Sequence, residues 1–304
     1  MRWELDGIDE PAGGRLLARA DRCALQQGWA YGAAVEAQGH GVRRAVLCDG
    51  DRCLALAQIV RRRLPLGLDL ALLLRGPVWL DAEPDPEREA AAMAALHAGL
   101  GRTLLIWQPD DARGLARRAG WRRIWTGPST AWLDLRLSEA VLRARLDARW
   151  RNRLAGAEAA PMVVMEAGSG PALDWLVEAD ARQRRARGYR GPSAGFVRAL
   201  AGSGAGMTLV ARHEGICVAG ILLPRHGRAA TYHVGVTTDT GRRLCAHHRL
   251  LWEGIVRLRR EGCTSLDLGG IDTVTRPGIA RFKLALGGRP ETLAGSYLAA
   301  PAWR

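Results

Sequence analysis

The feature that most constrains the fold of this chain is a repeated order of elements. In the first half, residues 42–47 read as a strand, Asp49-Gly50-Asp51 is a hairpin turn signal, and residues 53–59 return as the partner strand. A strand at 70–80, a helix at 87–100 behind a Pro-Asp-Pro start, a strand at 103–107, a short helix at 111–119 and a closing strand at 132–135 follow. The second half runs through the same series. Strands at 207–212 and 217–223 flank Glu214-Gly215; a third strand spans 230–237 and a long helix 244–261. A strand at 264–268, a helix at 278–286 and a last strand at 293–298 complete it. Helical segments precede each half, at 15–38 and at 175–186 plus 193–201. Two copies of this order predict a tandem α/β (α+β) fold with mixed sheets flanked by helices.

Between the halves, residues 138–159 read as one helix. Ser138 suits an N-cap, Leu142, Leu146, Trp150 and Leu154 share a face, and Arg143, Arg145, Arg149, Arg151 and Arg153 occupy the opposite surface. The domain boundary is expected just before it, giving domains 1–136 and 137–304, with the last strand able to pack back on the first domain.

A length of 304 residues suits two domains of about 150 each. Hydrophobic residues at 48% and charged residues at 25% exclude a disordered chain. The longest apolar stretch, 64–74, is interrupted by Asp69 and falls short of the ~20 residues of a membrane helix. Residues 1–6 hold no apolar segment of a signal peptide, so a cytoplasmic protein is expected. Six cysteines (Cys23, Cys48, Cys53, Cys217, Cys245, Cys263) form neither a CxxC pair nor a zinc spacing, so free thiols and no metal are expected, with Cys48 and Cys53 facing each other across a hairpin.

The net charge is +13, and 43 of the 44 basic residues are arginine; Lys283 is the one lysine. Codon bias explains arginine in place of lysine but not the excess of base over acid, which points to a polyanionic partner such as RNA or a phosphate-bearing substrate. A lysine offers a compact, deprotonatable charge where arginine is a broad fork that stays charged, so a site built on an ammonium would resist that drift.

Four segments carry candidate chemistry. In 229–236, alternation puts Thr231 and His233 on one strand face and Tyr232 on the other. The 237–243 loop, with Arg242 and Arg243, offers backbone N–H groups at a helix start to a phosphate, without the full pattern that grips the pyrophosphate of acetyl-CoA. Leu266-Asp267-Leu268-Gly269-Gly270-Ile271-Asp272 leads to a short helix carrying Arg281 and Lys283, which two-residue spacing sends to different faces. The 182–193 segment, with Arg187, Tyr189 and Arg190 at its end, suits a phosphate-rich ligand.

Several pieces resemble the Fem-type (FemA, FemB, FemX) peptidoglycan bridge enzymes of the GNAT-like superfamily: 229–235, 247–252, 266–272, 279–288 and Gly295-Ser296-Tyr297-Leu298. Leu25-Gln26-Gln27-Gly28-Trp29-Ala30-Tyr31-Gly32 is similar to the family's N-terminal Gln-Ser-x-x-Trp segment, and Trp150-Arg151-Asn152-Arg153-Leu154 to the basic segment opening its second domain. The resemblance implies two tandem GNAT-like domains, each with a mixed, mostly antiparallel sheet. It implies aminoacyl transfer from aminoacyl-tRNA to an amine of a lipid-linked or UDP-linked muropeptide, with no cofactor, peripheral contact with the inner membrane face, and no DNA partner. It puts Lys283 near the transferring ester, Tyr232 at a substrate contact, and Arg187, Tyr189 and Arg190 near a substrate phosphate. Trp29, Tyr31 and Arg281 are further substrate-side candidates, and Arg149, Arg151, Arg153, Arg242 and Arg243 are candidates for tRNA.

An ester donor is already activated, so the enzyme must position the amine, remove one proton and stabilise a tetrahedral oxyanion. Lys283 suits the charge stabilisation. Asp267 or Asp272 is the candidate base, His233 a second one, and substrate-assisted transfer needs neither. Two alternatives share the residues: an acyl-CoA-dependent N-acyltransferase, and a non-catalytic RNA- or envelope-binding module.

Overall fold

The computed structural model describes residues 1–64, 69–81, 84–111, 121–188 and 191–300. They divide into two compact units. The first comprises Met1–Ser129, His226–Arg228 and the residues from Thr292 onward; the second comprises Thr130–Arg225 and Ala229–Glu291. The expected short helix at 111–119 lies, but for Asp111, outside the described residues.

The first unit is built on an eight-stranded sheet. Its strands are β1 (Arg2–Leu5), β2 (Gly41–Asp49), β3 (Arg52–Arg63), β4 (Asp69–Leu74), β5 (Val78–Trp79), β6 (Thr103–Gln108), β7 (Arg122–Trp125) and β16 (Ser296–Ala299). The order is β1-β2-β3-β4-β6-β16-β7, with β5 on β3. Its pairings are antiparallel except β4 with β6. The β2–β3 hairpin turns where the Asp-Gly signal sits and brings the Cys48 and Cys53 sulfurs to 3.9 Å. The second unit's eight-stranded sheet holds β8 (Ser129–Asp134), β9 (Val163–Glu166), β10 (Gly206–His213), β11 (Ile216–His226), β12 (Ala229–Thr231), β13 (Val234–Thr237), β14 (Ser265–Ile271) and β15 (Arg289–Thr292). Its order is β15-β8-β14-β12-β11-β10-β9, with β13 on β11.

The helices are α1 (Glu10–Leu17), α2 (Trp29–Glu36), α3 (Pro86–Gly99), α4 (Glu139–Ala144), α5 (Ala148–Ala159), α6 (Pro171–Ala186), α7 (Ala194–Gly202), α8 (Asp239–Arg243), α9 (Ala246–Arg260) and α10 (Pro277–Leu284). In the second unit, Leu250, Leu251, Ile255 and Leu258 of α9 pack on Leu209 and Ile221 of the sheet, with Trp150 and Leu154 of α5 in the same core. Each such burial stabilises the unit by roughly 1.5–3 kcal/mol.

Three expectations need correction. The strand expected to close the first half is β8, which pairs in the second sheet. Alternation identifies a strand but does not say which sheet completes it, so the 136/137 boundary falls a few residues past the 129/130 division. The 138–159 helix is two, because Asp147 starts a new one by accepting the Arg149 N–H at 2.9 Å; Leu142, Leu146, Trp150 and Leu154 nonetheless share the core. The 244–261 helix begins later, at Ala246, after left-handed Cys245 (φ 52°), and α8 precedes it.

Candidate functional site

Each sheet contains a strand that breaks at a matching place. In the second unit, β12 lies between β11 and β14 and pairs in parallel with β14, Thr231 opposite Asp267. The chain then leaves the ladder at Tyr232–His233 and continues as β13, which pairs with β11 and not with β14. β13 and β14 therefore splay apart beyond Thr231. In the first unit, β4 pairs in parallel with β6 as far as Leu74, and β5 resumes on β3 at Val78.

The two splays are filled differently. In the first unit, the Gln27 amide replaces a strand rung. Its Nε2 donates to the Leu74 carbonyl at 2.7 Å and the Gln58 carbonyl at 3.2 Å, and its Oε1 accepts the Gln58 N–H at 2.7 Å. Trp107 Nε1 donates to the Gly76 carbonyl at 2.6 Å. The open edge at Leu74 and Gly76 is thereby satisfied within the unit itself.

In the second unit, the splay gathers several of the candidate side chains. Lys283 of α10 is 7% exposed, and its Nζ donates to the Gly270 carbonyl at 2.8 Å. Gly269, in the left-handed region (φ 75°), carries no side chain toward this ammonium; a Cβ there would lie 3.5 Å from Nζ. The Tyr232 ring centroid is 5.8 Å from Nζ. Asp267, 3% exposed, accepts from Thr130 Oγ1 at 2.6 Å and from the Gly269 N–H at 2.8 Å, and its carbonyl accepts the Tyr232 N–H at 2.8 Å. Burial pushes the Lys283 ammonium down to about 8; Asp267 opposes the shift and Arg276 adds to it. The result is a cation near neutrality, in a pocket of backbone and one carboxylate.

Behind Tyr232 stands a residue that sequence reasoning missed. The Tyr232 hydroxyl lies 2.7 Å from His247 Nε2, in the first turn of α9. The His247 ring meets Phe282 edge-on at 5.7 Å, and Phe282 also touches His248 and Trp150. Gly235 makes room for this pair: a Cβ there would overlap the Tyr232 hydroxyl and lie 2.8 Å from His247 Cε1. The available signal was a histidine opening the helix after the polar strand.

The other expected site residues lie elsewhere. His233 turns toward Phe196 of α7, its Nε2 buried without a partner among the described residues, and burial pushes it down to about 4. Asp272 is exposed and folds its own turn, accepting from the Val274 N–H at 2.9 Å, the Thr275 N–H at 2.8 Å and the Thr275 hydroxyl. Those bonds hold its carboxylate below the usual range. Arg281 is exposed while Lys283 is buried, the division of faces expected from their spacing. Arg187 caps the exposed end of α6, and Tyr189 and Arg190 fall outside the described residues. Trp29 and Tyr31 belong to the first unit, where the Arg44 guanidinium stacks on Trp29 at 3.9 Å and burial raises the Tyr31 hydroxyl.

Arg149, Arg151 and Arg153 are exposed along α5. Arg242 and Arg243 are exposed on α8, where Arg242 pairs with Asp239 and Arg243 donates to Thr240 Oγ1 at 2.9 Å. The expected phosphate loop is thus a short helix whose Gly241 N–H is taken by its own cap, Thr238 Oγ1, at 3.1 Å. Among the described residues, no His/Cys/Asp/Glu group of metal-binding kind occurs.

Residues 143–284, which hold the splay, Tyr232, His247 and Lys283, match the acetyltransferase (GNAT) domain family. Across 98% of this chain and 97% of the other, the structure is similar to FemX, with a TM-score of 0.84 at 14% identity. It is also similar to a tandem GNAT protein from the clavulanic acid biosynthesis pathway (TM-score 0.57, 15% identity, all of both chains). A third likeness is to the C-terminal domain of a protein described as a lysylphosphatidylglycerol synthetase from Agrobacterium fabrum (TM-score 0.57, 17% identity, 96% and 93% covered). No curated protein matches the sequence. The chain has the tandem GNAT-like fold of the Fem type, and fold and family match together support an acyltransferase.

Proposed function

We propose that the protein transfers an amino acid from an aminoacyl-tRNA to an amine of a peptidoglycan precursor. The observation that carries this reading is the convergence of Lys283 and Tyr232 on the splay of the second sheet, in a chain with the fold of FemX. Lys283 serves the developing oxyanion of the ester carbonyl, or a phosphate beside it, as a pre-positioned cation in a low-dielectric pocket. Asp267 holds the Gly269 turn and supports the charge on Lys283. The exposed arginines of α5, with Arg242 and Arg243, are the surface offered to tRNA phosphates, and Arg187, Tyr189 and Arg190 are the residues assigned to a precursor phosphate. The acceptor is lipid-linked or UDP-linked, and the work is done at the cytoplasmic face of the membrane; no helix among the described residues is long and apolar enough to cross it.

A second reading, an acyl-CoA-dependent N-acyltransferase, draws support from the match of residues 143–284 to acetyltransferases. The self-capped Thr238 turn favours the first reading, because its Gly241 N–H is committed before any pyrophosphate arrives. Incubation with mixed charged tRNAs and a muropeptide tests the first reading by a mass shift of the muropeptide. Tight acetyl-CoA binding with no response to charged tRNA would support the second.

A further inference from the structure

The tip of the β2–β3 hairpin holds two thiols that the transfer chemistry does not use. Cys48 and Cys53 are partners across the ladder, one rung from the Asp49–Arg52 pair that closes the turn. Their sulfurs lie 3.9 Å apart. Facing residues of an antiparallel ladder hold their Cα atoms about 4.5–5.5 Å apart, inside the ~4.4–6.8 Å that a disulfide spans. The backbone already stands at bonding geometry, and side-chain rotation alone separates two thiols from a bond.

The surroundings suit reaction. Both cysteines are half-buried, so a small reagent reaches them, whereas Cys23 is buried with its sulfur against His226. Arg2 is the ladder partner of Cys48 on β1, and the Arg19 guanidinium donates to the Cys53 carbonyl at 3.3 Å. Positive charge beside a partly exposed thiol favours the thiolate, the reactive form. Glu4 pairs with Arg2 and Asp81 with Arg19, which tempers the effect.

We propose that Cys48 and Cys53 are a reversible covalent modification site, at which a low-molecular-weight disulfide is reduced and a cross-strand disulfide forms. The inference is independent of the proposed transfer, because the pair belongs to the first unit and Lys283 to the second.

The step is a thiol–disulfide exchange, and it balances. The Cys53 sulfur attacks one sulfur of the reagent, the reagent's S–S bond breaks, and the first small thiol leaves with the Cys53 proton. The Cys48 sulfur then attacks the Cys53 sulfur of the mixed disulfide, and the second small thiol leaves with the Cys48 proton. Two protein thiols are oxidised and one small disulfide is reduced to two thiols. The order follows from what surrounds Cys48. Burial, the contact with Cys53 and Glu4 push its thiol up to about 11, and Arg2 opposes them. Once Cys53 is capped by the reagent, its charge no longer opposes ionisation of Cys48. The bond closes a loop of a few residues and so restricts little of the unfolded chain, which makes it an exchangeable modification and not a structural staple.

The test uses the full chain, reduced, freed of reductant and incubated with excess glutathione disulfide; remaining thiols are blocked with iodoacetamide before tryptic mass mapping. Trypsin cuts after Arg44, Arg52 and Arg61, so residues 45–52 and 53–61 are separate peptides when the thiols are free. In the wild type these two peptides should appear joined through their cysteines, lighter by two hydrogens than their sum, and dithiothreitol should separate them. Cys48→Ser should hold a lasting glutathione adduct on Cys53, because no second thiol displaces it. Cys53→Ser should acquire an adduct on Cys48 far more slowly. Both cysteines still blocked by iodoacetamide in the treated wild type, lasting glutathione adducts on them, or linkage of either to a different cysteine overturns the inference. A faster adduct on Cys48 than on Cys53 in the single variants overturns the order of attack.

Discussion

Lys283 and Gly270 are joined by a 2.8 Å hydrogen bond from the side-chain ammonium to the backbone carbonyl, at the strand end where the second sheet opens. That bond holds a buried cation at one place instead of letting it reach solvent. The functional account turns on it.

The first consequence is a pH dependence. Burial lowers Lys283 to about 8, so the ammonium that stabilises an oxyanion is lost as pH rises through that value. Transfer measured against pH should fall on the alkaline side around 8. Asp267 raises the Lys283 value, so Asp267→Asn should move this limb to lower pH. Stability runs the other way. The folded-state value lies below the ordinary lysine value of 10.5, so between about 8 and 10.5 the unfolded chain binds more protons, and this group's contribution to stability rises with pH. A limb that stays fixed in Asp267→Asn would contradict the assignment.

The two carboxylates proposed from sequence should separate cleanly. Asp272 is spent on its own turn and Asp267 on Gly269 and Thr130. Asp272→Ala should loosen the 272–275 turn and leave turnover within a few-fold of wild type. Asp267→Asn should reduce turnover strongly. Rates for both variants under one set of conditions decide this, and equal losses would restore Asp272 as a base.

Gly235→Ala puts a methyl group where the Tyr232 hydroxyl now lies. Overpacking of this kind costs about 1–3 kcal/mol. Denaturant unfolding should show a loss in that range, and turnover should fall further than stability because the phenol is pushed off His247. An active variant of unchanged stability would mean that the pair is not held as described.

In the first unit, Gln27→Ala should destabilise without touching the chemistry directly. It leaves the Gln58 N–H and the Gln58 and Leu74 carbonyls short of a partner, and a buried group left unsatisfied costs about 1–3 kcal/mol. A shifted denaturation midpoint at unchanged slope is the expected signature.

Much of this architecture could be read from the chain. Hairpin signals and periodicity located β2, β3, β10, β11, α3 and the duplicated order, and the lone lysine pointed to the candidate site. The breaks were not legible. Residues 230–237 alternate without interruption, so nothing local marks Tyr232–His233 as the point where the strand changes partners; that follows from β14 pairing only with β12 there. The destination of β8 was hidden for the same reason, since sheet membership depends on contacts far apart in sequence. Asp272 looked like a base because composition cannot tell a carboxylate that serves chemistry from one that ties its own turn. His247 was passed over because its partner lies on another element.

On the proposed function, a compact ammonium at position 283 drives aminoacyl transfer. The most direct test is a mass-spectrometric transfer assay with mixed charged tRNAs and a muropeptide precursor, run on wild type, Lys283→Ala and Lys283→Arg, with folding checked by thermal unfolding. The account predicts a muropeptide mass increase of one amino-acid residue with wild type. Both variants should stay folded and lose about 10²–10³ in rate, the usual effect of removing one oxyanion donor, because a guanidinium fork does not fit between Gly269, Gly270 and Tyr232. Full transfer by Lys283→Arg would contradict it.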